Sequence, residues 1–342
     1  MDLGKNQKIR LEPQDEYPHP IEAAKNFNES MYINLFDHQQ QMGGWFRVGN
    51  RPNEGHAEVS CCLYLPDGSV GFMFQRPEIQ GNDAIAAAGM AFEVADPFKQ
   101  LSLTYRGSVC LLKNPADMEN PKQAFANNPT LPCEIDLAYQ GISPVYGGEA
   151  IDDNGNPIKE NPEESFARGH YEQHMAGEGT IKVGEQTFQV KGLGLRDHSW
   201  GPRYWQNLYW YRWLPVNFTE DFALNVSIVT MANGKQNIWG MVLKEGAYHF
   251  IETATLETDY DENYYPRGYQ LSITLEDENY QVTGKVLSQI PLRNRRQKDN
   301  GDWMKTRIIE GFTQVKCNGM TGYGMTEYLD QMVDGLPVGR EC

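Results

Sequence analysis

The chain has 342 residues, and its 30 Lys and Arg against 46 Asp and Glu give a formal charge of −16. This acidity argues against nucleic-acid recognition, which is built on basic patches. A 40% apolar content with 33 Gly and 19 Pro points to a turn-rich globule long enough for two domains. No apolar run reaches the roughly 18 residues that span a bilayer, so no membrane insertion is expected. The first twenty residues lack an apolar export core, and the six cysteines form no C-x-x-C pair, so a reducing, cytoplasmic setting is expected.

In chain order, Met1–Pro20 is polar and proline-studded, an extended arm. Ile21–Phe36 places Ile21, Ala24, Phe27, Met31 and Leu35 on one stripe, which predicts a helix. Gly43–Pro52 mixes Trp45, Phe46, Arg47 and Arg51 with glycines, either a pocket wall or a turn capped by Trp45. Period-two segments then take over. Val59–Leu65 and Val70–Phe74 flank Pro66-Asp67-Gly68 as a hairpin. Met90–Val94, Leu101–Tyr105, Val109–Leu111 and Ile135–Tyr139 are further short strands, with a polar loop at residues 113–130 that has room for one helical turn. Tyr146–Phe166 is acidic and rich in Gly, Pro and Asn, which marks it as a linker. Beyond it, Thr180–Val190 is a hairpin, and Asp221–Thr230 with Lys235–Leu243 flanks Asn233-Gly234, a strong hairpin signal. Strands at Leu271–Leu275, Tyr280–Val282 and Ile308–Cys317, and a glycine-rich segment at Gly319–Tyr328, complete the chain. The pattern predicts an all-β protein of two successive antiparallel domains with few short helices, residues 1–165 and 166–342.

Chemistry concentrates in Lys191–Asn217, where eight aromatic rings (His198 included), three arginines and Asp197 occur together. Rings bury large apolar areas, and buried charge needs a partner, so the mixture suggests a pocket wall. As a strand, the segment would put Arg196, His198 and Trp200 on one face and Asp197 and Ser199 on the other. Asp197 and His198 would then diverge, and only one could serve the pocket as acid or base. Against this, Asp197 could simply anchor a turn with Arg203 as its ionic partner. Trp210, Tyr211 and Trp213, with Tyr209 and Arg212 among them, could face a cation or an apolar ligand, or could be ordinary core. In Gly169–His174, two histidines on a strand would lie about 13 Å apart, too far to share a metal, so no metal site is expected. Glu172 and His174 remain acid–base or lining candidates, and Glu310 and Glu327 lie near the closing glycines. No dinucleotide fingerprint, P-loop or G-x-S-x-G occurs, and no cofactor is expected.

Tyr171-Glu-Gln-His174, the hairpin after it and Gly192-Leu-Gly-Leu-Arg-Asp-His-Ser-Trp-Gly-Pro-Arg203 resemble the lipocalin-like superfamily of carotenoid 1,2-hydratases and AttH-like proteins. Gly43–Pro52 and Gly322–Tyr328 extend the likeness over most of the chain. The resemblance implies two lipocalin-like β-domains and activity on hydrophobic substrates: hydration of isoprenoid double bonds or, in related proteins, cyclisation including Diels–Alder reactions. It maps a catalytic His-x-Trp pair onto His198 and Trp200. The Tyr-x-Asp element expected one hairpin later is absent, since that region reads Phe222-Ala-Leu-Asn-Val-Ser227. The expectation is therefore an isoprenoid hydratase, dehydratase or isomerase, with Asp197, His198, Glu172 and Tyr209 as catalytic candidates. Trp200, Trp210, Tyr211, Trp213, Arg196, Arg212, His174 and Trp45 would bind a small hydrophobic substrate, and a homodimer is compatible with it. A pericyclase and a non-catalytic lipid-binding module are the alternatives.

Overall fold

The period-two signal is realised as antiparallel sheet in both halves of a computed structural model that describes residues 8–159, 165–297, 301 and 303–341. The strands are β1 (Ile9–Arg10), β2 (Phe27–Asp37), β3 (Met42–Arg51), β4 (His56–Tyr64), β5 (Val70–Gln75), β6 (Ala86–Ala87), β7 (Met90–Asp96), β8 (Gln100–Leu112), β9 (Thr130–Gly141), β10 (Tyr146–Ala150), β11 (Gly169–Val183) and β12 (Gln186–Pro202) in the first sheet. The second holds β13 (Leu208–Asn217), β14 (Phe222–Met231), β15 (Gln236–Lys244), β16 (Ala247–Phe250), β17 (Thr253–Tyr260), β18 (Pro266–Thr274), β19 (Asn279–Gln297), β20 (Trp303–Cys317), β21 (Met320–Val333) and β22 (Leu336–Pro337). One α-helix, α1 (Pro121–Asn127), is present among the described residues. None is long and apolar enough to cross a membrane.

In the first sheet β9 pairs with both β8 and β11, so that β11, β12, β2, β3, β4, β5, β8 and β9 close into a barrel. Closure removes the unpaired strand edges that an open sheet must protect. Alternate residues fill the interior, among them Met31, Ile33, Phe46, Val48, Val59, Cys61, Leu103, Ile135 and Met175. The second sheet runs β16-β15-β14-β13-β21-β20-β19-β18-β17, and its core includes Leu214, Val226, Leu271, Ile273, Ile309 and Tyr328. This is the expected all-β, lipocalin-like architecture.

Two expectations are corrected. Residues 27–36 of the predicted helix fall in β2 (Phe27–Asp37), whose residues are buried on both faces. A strand covered on both sides carries apolar residues at odd and even positions, which erases the period of two and leaves a chance helical stripe. The expected division at 165/166 does not mark a change of sheet. β11 pairs with β9 and β12, and β12 pairs with β2, so residues 169–202 belong to the first barrel. The chain divides instead into Met1–Leu112 with Asn128–Trp205, and Lys113–Asn127 with Gln206–Cys342. The linker-like composition marks a turn at Asp152–Gly155 and residues 160–164, which lie outside the described residues. In the polar segment 113–130 the expected helical turn is present as a 3-10 turn and α1; residues 113–127 belong to the second unit, where Glu119 accepts from Tyr265 Oη.

Candidate active site

β11 and β12 are adjacent and in register, with Tyr171 opposite His198, Gln173 opposite Arg196 and Glu172 opposite Asp197. Opposed residues point to the same face, so His198, Arg196, Tyr171, Gln173 and Trp200 share the barrel interior with Met31 and Ile33 across β2. Asp197, Glu172, His170 and His174 lie on the other face. The divergence of Asp197 and His198 expected from the sequence is therefore present, and each belongs to a separate polar cluster.

The interior cluster centres on Glu29 of β2. His198 Nε2 lies 2.6 Å from Glu29 Oε1, and both side chains are fully buried. The same carboxylate accepts from the His19 backbone N–H at 2.8 Å, from His19 Nδ1 at 3.1 Å and from Asn82 Nδ2 at 3.2 Å. Burial alone would raise the Glu29 pKa, but the hydrogen bonds and charges of His19 and His198 bring it down to about 2. Burial alone would lower His19, but Glu29 and Asp15 raise it. The His19 ring stacks on Trp200 at 4.3 Å and 13°, and His198 meets the edge of Trp200 at 5.6 Å.

Hydrogen-bond roles follow from this geometry. Glu29 is ionised and only accepts, so His198 Nε2 carries a proton. Tyr171 Oη donates to Glu16 Oε1 at 2.9 Å, so at 3.3 Å from His198 Nδ1 its oxygen accepts from that nitrogen. Both ring nitrogens of His198 thus act as donors. Glu16 also accepts from Arg196 Nη1 and, at 2.9 Å, from Nη2, and from the Phe98 N–H at 2.8 Å. Gln173 Oε1 accepts from Arg196 Nε and Nη2 at 3.0 and 2.7 Å.

On the opposite face His170 Nε2 is bonded to Asp197 Oδ2 and lies 3.9 Å from Glu172 Oε1. Burial would lower the His170 pKa, but Asp197 and Glu172 raise it; Asp197 is correspondingly held below its ordinary value. The side chains of His170 and Asp197 are 15% and 23% exposed, so this pair is reachable where His198 is not. Arg203, considered as the Asp197 partner, donates to Ser199 Oγ and lies over Phe166 at 4.1 Å, and its charge adds to that of His170 in holding Asp197 low. Ligand atoms of His19, Glu29 and His198, and of His170, Glu172 and Asp197, each lie within 4.8 Å of one another, close enough in principle to hold a cation. His174, on a strand as expected, belongs to neither group and is buried opposite Leu195. Trp45 is buried on β3 and packs against Tyr32 and Phe72.

The aromatic stretch is divided between the two sheets, its second half forming β13. Trp210 and Arg212 share one face there. Arg212 is fully buried, 3.1 Å from Asp330 Oδ1, and lies 4.2 Å from the Tyr328 ring and 5.0 Å from that of Trp210. Asp330, against the cost of burial, makes it a stronger base. It is the ionic centre of its own unit. Tyr209, Tyr211 and Trp213 alternate onto the other face; Tyr209 is 39% exposed, and Tyr211 Oη donates to Glu327. Sequence reasoning missed Glu16, His19 and Glu29, because one segment was read as an arm and the other as a helix. With residues 27–37 read as a strand, an acid at the head of the alternation Glu29, Met31, Ile33, Leu35 would have stood out.

A family profile described as a domain of unknown function, DUF7064, matches residues 12–332. The chain belongs to this family. No curated protein matches it significantly. Among solved structures, a candidate AttH of Nitrosomonas europaea is similar with a TM-score of 0.58 at 13% identity, over 94% of this chain and 96% of that one. CghA bound to Sch210972 gives 0.56 at 8% identity over 95% and 97%. Kievitone hydratase from Nectria haematococca gives 0.55 at 8% identity over 95% and 94%. At these identities the likeness is one of fold, and the AttH-like part of the resemblance agrees with it.

Proposed function

We propose that the first barrel performs cofactor-independent acid–base catalysis, namely hydration, dehydration or allylic isomerisation, on a small hydrophobic alkene or alkenol of isoprenoid type. The observation that carries this is the buried relay Glu29–His198–Tyr171 beside Trp200. Glu29 holds the His198 ring and balances its charge. His198 passes its Nδ1 proton to the Tyr171 oxygen as Tyr171 gives its hydroxyl proton to the alkene carbon or leaving hydroxyl. Trp200 then faces the carbocation, worth about 0.5–2 kcal/mol by cation–π attraction. That is small beside a barrier reduction of at least ~8 kcal/mol, so exclusion of water and positioning supply the larger part. Capture by water or loss of a neighbouring proton returns a proton through Tyr171 to His198. The fold shared with kievitone hydratase supports hydration as the reaction class, and CghA bound to Sch210972 supports a small-molecule ligand.

A second reading assigns the proton transfer to His170, Asp197 and Glu172, and their partial exposure favours it. Turnover of a panel of isoprenoid alcohols and alkenes without added cofactor separates the two. Loss in His198→Ala with retention in Asp197→Asn supports the interior relay, and the reverse supports the outer triad. Turnover intact in both variants sinks the proposal; a pericyclase would then fit conversion, and a binding module the retention of unmodified ligand.

A further inference from the structure

Glu16 and His19 lie between β1 and β2, in a stretch, residues 11–26, that contains no strand and only the 3-10 turn Pro13–Glu16. Prolines 13, 18 and 20 deny it backbone donors; Glu16 and His19 are held by the site, while residues 22–26 are tied down by Asn53, Arg168 and Arg203. The Glu16 carboxylate meets donors from three separate places: the Arg196 fork of β12, the Tyr171 hydroxyl of β11 and the Phe98 N–H of the turn between β7 and β8. Phe98 presents that N–H from a left-handed conformation, φ 62°, that a bulky residue adopts at a cost. Three residues on, the flat His19 ring covers Trp200. The strap therefore sets a carboxylate on Arg196 and an unsaturated plane on Trp200, the latter 6.0 Å from the His198 ring.

We infer that the Arg196 fork and the Phe98 amide form a carboxylate-binding subsite, which Glu16 fills in the closed chain and which the acid end of an unsaturated hydrophobic substrate takes when the strap is displaced, freeing the Tyr171 hydroxyl from Glu16. A guanidinium fork with a backbone N–H beside it matches a carboxylate far better than a hydroxyl. Displacement by such a head group puts the hydrocarbon against Trp200 in place of His19 and leaves Tyr171 within reach of the chain. The inference rests on the interior reading of the site and narrows its substrate to an acid.

The test is binding of farnesoic acid and of farnesol to the full chain, followed by tryptophan fluorescence. Removing the internal competitor in Glu16→Ala should tighten the acid by roughly tenfold or more, as one charge-assisted bond is worth, and leave farnesol nearly unchanged. Equal tightening of both ligands, or of neither, overturns the subsite. Should Glu16→Ala fail to fold, Glu16→Gln, which keeps the shape without the charge, must show the same acid preference. In the wild type, saturating farnesoate must speed amide hydrogen exchange in residues 14–19, whereas farnesol must not; unchanged exchange with farnesoate also overturns it. Acid-selective binding without turnover would refute the proposed function and leave the subsite standing, and turnover of alcohols without acid selectivity would do the opposite.

Discussion

Replacing Glu29 by Gln removes the charge that organises His19 and His198 while keeping the side-chain volume. The Glu29 carboxyl sits at about 2 against an ordinary 4.5, and each unit is worth about 1.4 kcal/mol. The ionised carboxylate thus contributes about 3 kcal/mol to folding. Because its pKa is depressed in the folded state, this contribution is present above 4.5 and is lost as pH falls toward 2. His19 has the opposite sign. Its pKa is raised above 6.5, so its contribution is complete below 6.5 and is lost as pH rises through the folded value. The stability difference between wild type and Glu29→Gln should therefore peak between about pH 4.5 and 6.5 and shrink on both sides. Urea unfolding of the two proteins across this range measures it. A difference that stays flat with pH would show that Glu29 acts through packing alone and would refute the charge network.

Other substitutions probe the framework. A Cβ on Gly169 would lie 2.0 Å from Trp200 Cε2, so Gly169→Ala should shift Trp200, cost about 1–3 kcal/mol and change tryptophan fluorescence; an unchanged spectrum would contradict the packing described. Arg212→Met leaves Asp330 buried without its ion partner and should lower stability by about 3–5 kcal/mol, read as a lower thermal midpoint. If Arg212 instead served a binding pocket, the midpoint would hold and only ligand affinity would fall.

The hairpins were legible because their turn chemistry is local: Pro66-Asp67-Gly68 joins β4 to β5 and Asn233-Gly234 joins β14 to β15, as expected. The faces of β12 were legible for the same reason, since alternation alone separates Asp197 from His198. What could not be read is pairing between distant segments. β12 meets β2 across more than 150 residues, as in His198 beside Met31, and no local pattern announces that contact. Glu29 and Glu16 are partners of His198 and Arg196 only through that topology. Trp210 and Arg212 illustrate the converse, because this local mixture of rings and charge forms a buried ionic centre of the second sheet.

The central claim is that Tyr171, recharged by His198, delivers a proton to carbon or oxygen of a hydrophobic substrate. The direct measurement is incubation of the protein in deuterated water, without added cofactor, with C10 to C20 isoprenoid alkenes, alcohols and acids, the products being read by mass spectrometry. Alkene hydration or isomerisation should introduce solvent deuterium at carbon, and incorporation should vanish in His198→Ala and Tyr171→Phe variants that remain folded. Alkene conversion with no deuterium in the product, or incorporation that persists without His198, would contradict the account.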